Sequence, residues 1–453
     1  MTDNATWLGY TAVEASVASL KAGLDLDCGE SWIKDANGKP VMDFLTTYGM
    51  DAVNAGKMRE SDIDKALTNQ YMTLMRLGYF DDIAQYSSLS KKDICSDDHR
   101  SLAADGARQG MVLLKNEHNL LPLDAKKVGR VNVHGPHIQA PEKVMDGDYT
   151  GPPCRYVTPR QGVSKYVKFS HHANTTIYFG GINLHIEREG NDREDLLLPM
   201  NQTKEIIRVA EASPNPIILI GAILWAGYPG GEGGNAIADV IFGEYNPGGR
   251  LPLTWFKNKY ISQLPMTSME LRPVPKLGYP GRTYKFYDGP EVLYPFGYGL
   301  SYTKFVYKMD TSGTAVTIPV AGRHCKKLSY KPGVSSAPAC PAINVDGHAC
   351  AETVSFNVSV INSGGKGGSH PVIVLTKPPA EVDDAPIKQV VAFRRVFVHA
   401  WSSVDVSFTL NVCKAFGVVE KTAYTVVPSG VSTVLVENGD SSASFPVKIN
   451  LSV

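Results

Sequence analysis

A charge imbalance is the first thing this 453-residue sequence lacks: 45 Lys and Arg face 45 Asp and Glu, so the formal net charge is zero. Nucleic acid and anionic membrane surfaces select for a basic field, and neither is expected as a partner here. A neutral ligand needs no such field. Long apolar runs are missing too. The longest, residues 217–226, is about half of the ~20 residues that a membrane-spanning helix needs, so no membrane partner is expected. The opening MTDNATWLGYTAVEASVASL has no basic segment leading into a continuous apolar core, and does not read as a secretory signal. The cysteines, at 28, 95, 154, 325, 340, 350 and 413, include no Cys-x-x-Cys pair and no zinc-type histidine spacing, so no metal is expected. Their odd count leaves at least one thiol free or intermolecular. Cys325, Cys340 and Cys350 cluster in a loop-rich stretch where an oxidising compartment would form a disulfide. Asn4, Asn174, Asn201, Asn357 and Asn450 sit in N-x-S/T triplets, a weak sign of secretion.

What is present is concentrated in residues 225–255, WAGYPGGEGGNAIADVIFGEYNPGGRLPLTW. An apolar strand, a glycine loop, a short helix and a Pro-Gly-Gly turn follow in that order. Gly230, Gly231, Gly233 and Gly234 allow a tight turn and close backbone approach, and Ile237, Val240 and Ile241 supply the helix's apolar face. No Gly-Lys-Ser/Thr follows the glycines, and their spacing is not G-x-G-x-x-G. No nucleotide or other cofactor is expected.

Periodicity divides the rest. Residues 11–22 repeat at helical spacing, and AGLDLDCG at 22–29 reads as a short strand closing in a glycine turn. Ser61 and Asp64 form a capping-box-like start to a helix that runs through Leu67, Tyr71, Leu74 and Leu77 and stops at Gly78. A polar linker at 85–98 leads to a helix from about 99 to 110. Strands follow at 111–114, 128–134 and 176–180, an alternation that predicts an open α/β sheet. Residues 135–174, rich in Gly, Pro and His, show little periodicity. After Thr303 the period becomes two, in TVSFNVSVIN (353–362), PVIVLTKP (371–378), SVDVSFTLNV (403–412) and STVLVENGD (432–440), which predicts an antiparallel β-sandwich. Residues 311–346 read as an insertion or loop.

The 225–255 string resembles the second domain of the family 3 glycoside hydrolases, particularly the plant-type β-D-xylosidases and α-L-arabinofuranosidases. ARQGMVLLKNEHNLLPL (107–123), EREGNDREDLLLP (187–199), LGYPGRTYKFY (277–287) and LYPFGYGLSYT (293–303) resemble further signatures in the family's order. Together with weaker similarity at both ends, the resemblance covers nearly the whole chain. It implies three parts: a C-terminal remnant of a (β/α) barrel domain with its linker over 1–88, an incomplete α/β sandwich over 89–290, and a fibronectin type III-like β-sandwich over 291–453. It also implies an N-terminally truncated chain with internal deletions, since PIILIGAILWAGYPG (216–230) runs straight through where the family has two strands separated by a loop and a helix. A similar shortfall stands before Thr176. Lost sheet elements would expose edges and apolar faces.

The implied activity is hydrolysis of O-glycosyl bonds, releasing terminal xylose or arabinose from cell-wall xylan or arabinoxylan oligosaccharides, outside the cell. Retaining hydrolysis uses two carboxyl groups about 5 to 5.5 Å apart. By resemblance Glu187 is the general acid/base, with Glu189 as second choice, and Asp192 and Arg193 fix the loop by an ion pair. Read without the family, residues 187–195 are a solvated charge run. The family's nucleophile, a barrel Asp, is absent from this chain: Asp3 lacks its flanking pattern, and Asp25 and Asp27 read as buried hydrogen-bond acceptors near a strand end. Without a nucleophile the chain alone is expected to be inactive. Alternatives are a non-catalytic carbohydrate- or partner-binding remnant, and a β-glucosidase. Trp225, Tyr228, Trp255, Tyr284, Phe286 and Tyr287 read as packing aromatics ahead of a sugar platform. His134, His137, His171 and His172 read as surface or loop residues.

Overall fold

Three helices lead the described chain. The computed structural model describes residues 9–27, 44–139, 142–212, 221–264, 268–309, 314–320, 325–334, 338–345, 350–420, 424–437 and 442–452. They fall into two compact units, residues 1–96 and 97–453.

In the first unit, Thr11 starts helix α1 (Ala12–Lys21) with a reciprocal box. Its N–H donates to Glu14 Oε2 at 3.0 Å and its Oγ1 accepts the Glu14 N–H at 3.2 Å. Helix α2 (Phe44–Asn54) packs on α1, and Lys57 pairs with Glu14 at 2.9 Å. Helix α3 (Glu60–Arg76) begins earlier than the sequence suggested. A box needs an extended first residue, and that is Arg59 (φ −100, ψ 150), whose N–H donates to Asp62 Oδ2 at 3.1 Å. Ser61 lies inside the helix. Gly78, at φ +70, ends α3 in a Schellman turn, with Tyr79 N–H donating to Leu74 O at 3.0 Å. Residues 22–27 run as turn and coil rather than strand, for they have no ladder partner among the described residues. Asp25 is half-buried and accepts both hydrogen bonds of the Asn69 amide, at 3.1 and 3.2 Å. Asp3 and Cys28 lie outside the described residues.

The second unit opens with helix α4 (Asp97–Gly110) and strand β1 (Val112–Asn116). Strand β2 (Arg130–His134), helix α5 (Pro159–Ser164), strands β3 (Lys168–Phe169) and β4 (Thr176–Tyr178), helix α6 (Gln202–Glu211), strand β5 (Ala222–Trp225) and helix α7 (Gly233–Ile241) follow. Strands β6 (Trp255–Phe256) and β7 (Val292–Tyr294) form a further pair. The expected single open sheet is divided. Strands β3, β2 and β4 lie parallel in that order, whereas β1 pairs antiparallel with β5. Leu300 N–H donates to Leu113 O at 2.7 Å on the other side of β1, so both edges of β1 are occupied and it cannot extend the parallel sheet.

Residues 135–174 hold more structure than their composition suggested: a helical turn at Glu142–Met145, then α5 and β3. Thr158 and Gln161 cap α5 reciprocally, with Pro159 at its first position. The glycine loop brings α7 against this helix. A Cβ on Gly234 would stand 2.1 Å from Thr158 O, and one on Gly162 1.8 Å from Gly234 O, so neither position tolerates a side chain. Val131, Val163, Ala236, Ile237, Val240 and Ile241 form the core between these elements. Arg108 and Tyr166 both converge on Asp239, at 2.6 Å each, and bind α4 and the end of α5 to α7.

The β-sandwich places β8 (Phe305–Met309) beside β12 (Thr353–Asn362), and β12 beside β15 (Ser403–Asn411). The facing sheet runs β14 (Gln389–Val398), β13 (Gly368–Lys377), β18 (Gly430–Glu437), β19 (Ser442–Ser452) and β9 (Thr314–Pro319). Residues 311–346 are therefore not simply a loop: β9 pairs in parallel with β19 and buries Ile318 completely. β10 (Cys325–Lys326) and β11 (Ala342–Asn344) join β17 (Thr425–Pro428) and β16 (Val418–Val419) in a small sheet. Cys325 bonds Cys340, within the expected cluster, while Cys350 bonds Cys413.

Fully buried His370 joins the sandwich to the α/β part. Arg250 Nη2 approaches its Nδ1 at 3.2 Å, and Tyr307 Oη its Nε2 at 2.6 Å. Burial, with Arg250 and Arg395 nearby, pushes this imidazole down to about 2. It is neutral, and since Arg can only donate, Nδ1 is the acceptor and Nε2 carries the proton.

Candidate active site

Three loops of the second unit meet around Tyr228: residues 145–148, 183–195 and 226–232. Gly230, at φ +68, donates its N–H to Met145 O at 2.7 Å and fixes the glycine loop beside the first. Gly147 lies beside the Tyr228 ring, since a Cβ there would stand in ordinary contact, 3.7 Å from Tyr228 Cδ2. The Tyr156 hydroxyl donates to Asp146 and Arg155 Nε to Glu232 Oε1, the latter at 2.7 Å. Glu232 is 5% exposed. Burial acts to raise its carboxyl, but Arg155 and Asn235 outweigh it and hold the group below its usual range.

The acidic loop is folded by its own polar groups. Asn183 O accepts the N–H of Ile186 at 2.9 Å and of Glu187 at 3.1 Å, while Arg188 and Asn191 exchange backbone hydrogen bonds. The Asn191 amide reaches back to His185 O at 3.0 Å. Glu187 is half-buried, and its Oε2 accepts the Arg193 N–H at 3.2 Å. Glu189 is exposed, with its N–H donating to Asp148 Oδ2 at 2.9 Å. The expected Asp192–Arg193 pair is not the one formed. Arg193 Nη2 lies 3.4 Å from Asp195 Oδ1 and also donates to Leu197 O.

Tyr228 sees both acidic loops. Burial raises its phenol above the usual range, and the carboxylates of Glu187 and Asp148 raise it further. Asp148 ties the first loop to the acidic loop through the Glu189 N–H, the Tyr228 ring lies beside Gly147 of that first loop, and half-buried Glu187 is anchored through Oε2 by the Arg193 N–H. The other five singled-out aromatics pack elsewhere. Trp225 and Trp255 meet edge to face at 5.9 Å, Tyr284 stacks on Phe296 at 4.1 Å, Tyr287 meets Tyr260 at 4.9 Å, and Arg272 lies 5.1 Å over Phe286.

Among the histidines, His171 and His172 are exposed as expected, and His134 is half-buried on β2. His137 departs from the expectation. It is 7% exposed, its Nε2 has no partner among the described residues, and burial pushes the imidazole below its usual range against a hydrogen bond to the Gly180 backbone. It sits just past the end of β2, where Gly135 and Phe179 bring two strand ends together. Asp148 was not singled out in the sequence, and only its place in the Gly-Asp-rich DGDYTG could have drawn attention to it. Among the described residues no cluster of metal-ligating side chains occurs, and no helix is long and apolar enough to cross a membrane.

Residues 111–302 match the glycosyl hydrolase family 3 C-terminal domain, and residues 370–442 match the fibronectin type III-like domain. The chain is 37% identical over 456 residues to a β-xylosidase/α-L-arabinofuranosidase of Medicago sativa subsp. varia, covering 91% of this chain and 56% of that protein. It is 37% identical over 460 residues to a β-D-xylosidase of Arabidopsis thaliana, again covering 91% and 56%. The chain thus spans a little over half the length of the curated relatives it matches. Among solved structures, a family 3 exo-β-xylosidase in complex with a xylobiose aziridine activity-based probe superimposes with a TM-score of 0.76 at 26% identity, covering 97% of this chain and 58% of that one. A β-glucosidase from Listeria innocua, at 20% identity and a TM-score of 0.72 over 97% and 61%, shares the fold.

Proposed function

We propose, from the premise that the chain belongs to glycosyl hydrolase family 3, that its acidic loop serves the hydrolysis of β-xylosides by retaining double displacement. Glu187 is the general acid/base in this reading, and Glu189 the second choice. The observation that carries it is the setting of the two glutamates: Glu187 is half-buried and anchored through one oxygen by the Arg193 N–H, whereas Glu189 is exposed. A carboxyl group that protonates a leaving oxygen needs such a fixed, partly dry setting.

The second carboxylate is not assigned to any residue of this unit. Asp148 is held by the Glu189 N–H on the neighbouring loop and is read as a support for the acidic turn. In this reading none of Asp3, Asp25 and Asp27 serves as the nucleophile, and the chain assayed alone is expected to be inactive. We read residues 1–88 as the closing part of a (β/α) barrel, a reading supported by the superposition of 97% of the chain on a family 3 xylosidase. Xylan or arabinoxylan fragments outside the cell are the matching substrates, in keeping with the names of the plant relatives.

The purified chain should release no nitrophenol from an aryl β-xyloside, and turnover abolished by Glu187→Gln would overturn the missing nucleophile. A cationic xylose-configured inhibitor should bind and lose about tenfold in affinity on Glu187→Gln, as expected for one charge-assisted hydrogen bond of ~1.5 kcal/mol. Unchanged affinity would remove Glu187 from the site. Tighter binding of the glucose-configured analogue would favour a β-glucosidase.

A further inference from the structure

The acidic loop is fastened where it starts. It runs from the end of β4 at Tyr178 to the start of α6 at Gln202, longer than an ordinary connection and with no helix or named strand of its own. Gly181 lies outside the strands, yet both of its backbone groups are satisfied by one side chain. Its N–H donates to Gln202 Oε1 at 2.8 Å, and Gln202 Nε2 donates to Gly181 O at 2.8 Å. The amide stands where the peptide of a paired strand would. Gln202 is 1% exposed, so this pair of hydrogen bonds is shielded from water. A Cβ on Gly180 would lie 2.5 Å from Gln202 Oε1 and from Tyr178 Cε1, and Gly181 holds φ +135, so the approach needs both glycines.

The far end of the loop is bent to deliver that side chain. Met200 (φ +54) and Asn201 (φ +60) are consecutive left-handed residues, a conformation costly for methionine, and the Gln202 N–H closes the turn on Pro199 O at 3.1 Å. Met200 is 60% exposed, so burial of its own side chain does not explain the bend. From Gly181 the path to the carboxyl is short. Two residues on, Asn183 O accepts the Glu187 N–H at 3.1 Å, and Glu187 Oε2 in turn accepts the Arg193 N–H. Further along, the Leu196 N–H on Asn258 Oδ1 at 2.8 Å and the Glu189 N–H on Asp148 hold the loop, but neither acts at its root.

We infer that Gln202 is a positioning residue for Glu187: its amide clasps the root of the acidic loop at Gly181, so that the turn closed by Asn183 presents the carboxyl in one place. The inference rests on the reading of Glu187 as acid/base. Misplacing a reacting group by about 1 Å can cost on the order of 10²-fold in rate, which gives such a clasp its weight. An apolar side chain at 202 would leave both Gly181 groups unpaired in a part-buried setting. A neutral carboxyl could replace the amide, since it carries one acceptor oxygen and one O–H. A carboxylate could not, because it has no proton to donate to Gly181 O.

Gln202→Glu in the full chain is the test. Burial and the facing Gly181 carbonyl oppose a charge there, so the introduced carboxyl should protonate above the usual carboxylate range. At neutral pH, hydrogen exchange over 182–195, read by mass spectrometry, should be about tenfold faster than in wild type, with strand β12 unchanged as the control for folding. As pH falls the loop should regain wild-type protection. Titration of the neighbouring His137 and Glu205 is common to both chains and drops out of the comparison. A cationic xylose-configured inhibitor should follow the same course, binding the variant about tenfold more weakly at neutral pH and equally in acid. Gln202→Glu should add nothing to the loss already caused by Glu187→Gln. Unchanged exchange at neutral pH, or a loss that acid does not restore, would overturn the clasp. Faster exchange with inhibitor affinity unmoved, or an equal further loss in the Glu187→Gln chain, would overturn the positioning role and leave a contact of the fold. A wild-type chain that binds no inhibitor would instead strike the glycosidase reading, and exchange alone would then decide the clasp.

Discussion

The helical unit and the β-sandwich are held by different kinds of contact. Among the described residues of 9–96 the buried apolar ones are Ala15, Ala52, Met58 and Ala66, while Met75, Leu77, Tyr79 and Phe80 are each more than half exposed. The sandwich buries Phe305, Ile318, Val358, Val374, Phe408, Val447 and their neighbours in one continuous core. The ends of helices α1 and α3 are set by caps and turns within a few residues, which are local interactions. Strands β9, β12 and β19 have no such local closure, and burial of their alternating faces must hold them.

The largest effect should come from the sandwich core. Ile318→Ala, on the strand that the sequence hid, should cost about 2 to 5 kcal/mol in denaturant unfolding, while Met75→Ala in the helical unit should cost about 0.5 or less. Equal losses would break the comparison. Arg155→Ala should come next, on the order of 1 to 3 kcal/mol, because it leaves the nearly buried Glu232 with Asn235 as its remaining described side-chain partner. The sign with pH follows from the depressed carboxyl. Its contribution is present above the usual value of 4.5 and is lost as pH falls through the lowered native value, so the gap between wild type and variant should close in acid. A gap that widens in acid would be incompatible with that direction. Smallest is Thr11→Ala, about 1 kcal/mol, read as lost helicity at α1 with the sandwich melt unmoved.

Much of this was legible where one segment carries its own instructions. TVSFNVSVIN at 353–362 is strand β12 residue for residue, since one face meets the core and one meets water. The 225–255 string gave strand, glycine loop and helix in the right order. Other signals were present but faint. Thr158-Pro159-Arg160-Gln161 is a complete helix start inside a stretch that composition marks as loop. The shift from Ser61 to Arg59 at the head of α3 was not readable, because both offer an acidic residue three positions on and only backbone conformation chooses between them.

The candidate site divides in the same way. Glu187 and Glu189 stood out as residues, but their different exposures come from the turn that Asn183 and Asn191 close. Asp148 and Tyr228 are 80 residues apart in numbering, and neither predicts the other. His137 does lie in a turn, but its burial was not legible, because histidine composition carries no information about burial. Arg193 pairs with Asp195 and not with its neighbour, a choice that only the folded loop makes.

The sequence by itself determined the parts that depend on short range: helix caps, strand alternation, the glycine loop and the family to which the ordered strings belong. Tertiary structure alone decided that β1 turns to β5 instead of the parallel sheet, that β9 closes the sandwich, and that Asp148 meets the Glu189 N–H across two loops. The reason is physical. Local preferences constrain backbone angles over a few residues, whereas pairing and burial depend on which distant groups arrive to satisfy a free hydrogen bond, an apolar face or a charge.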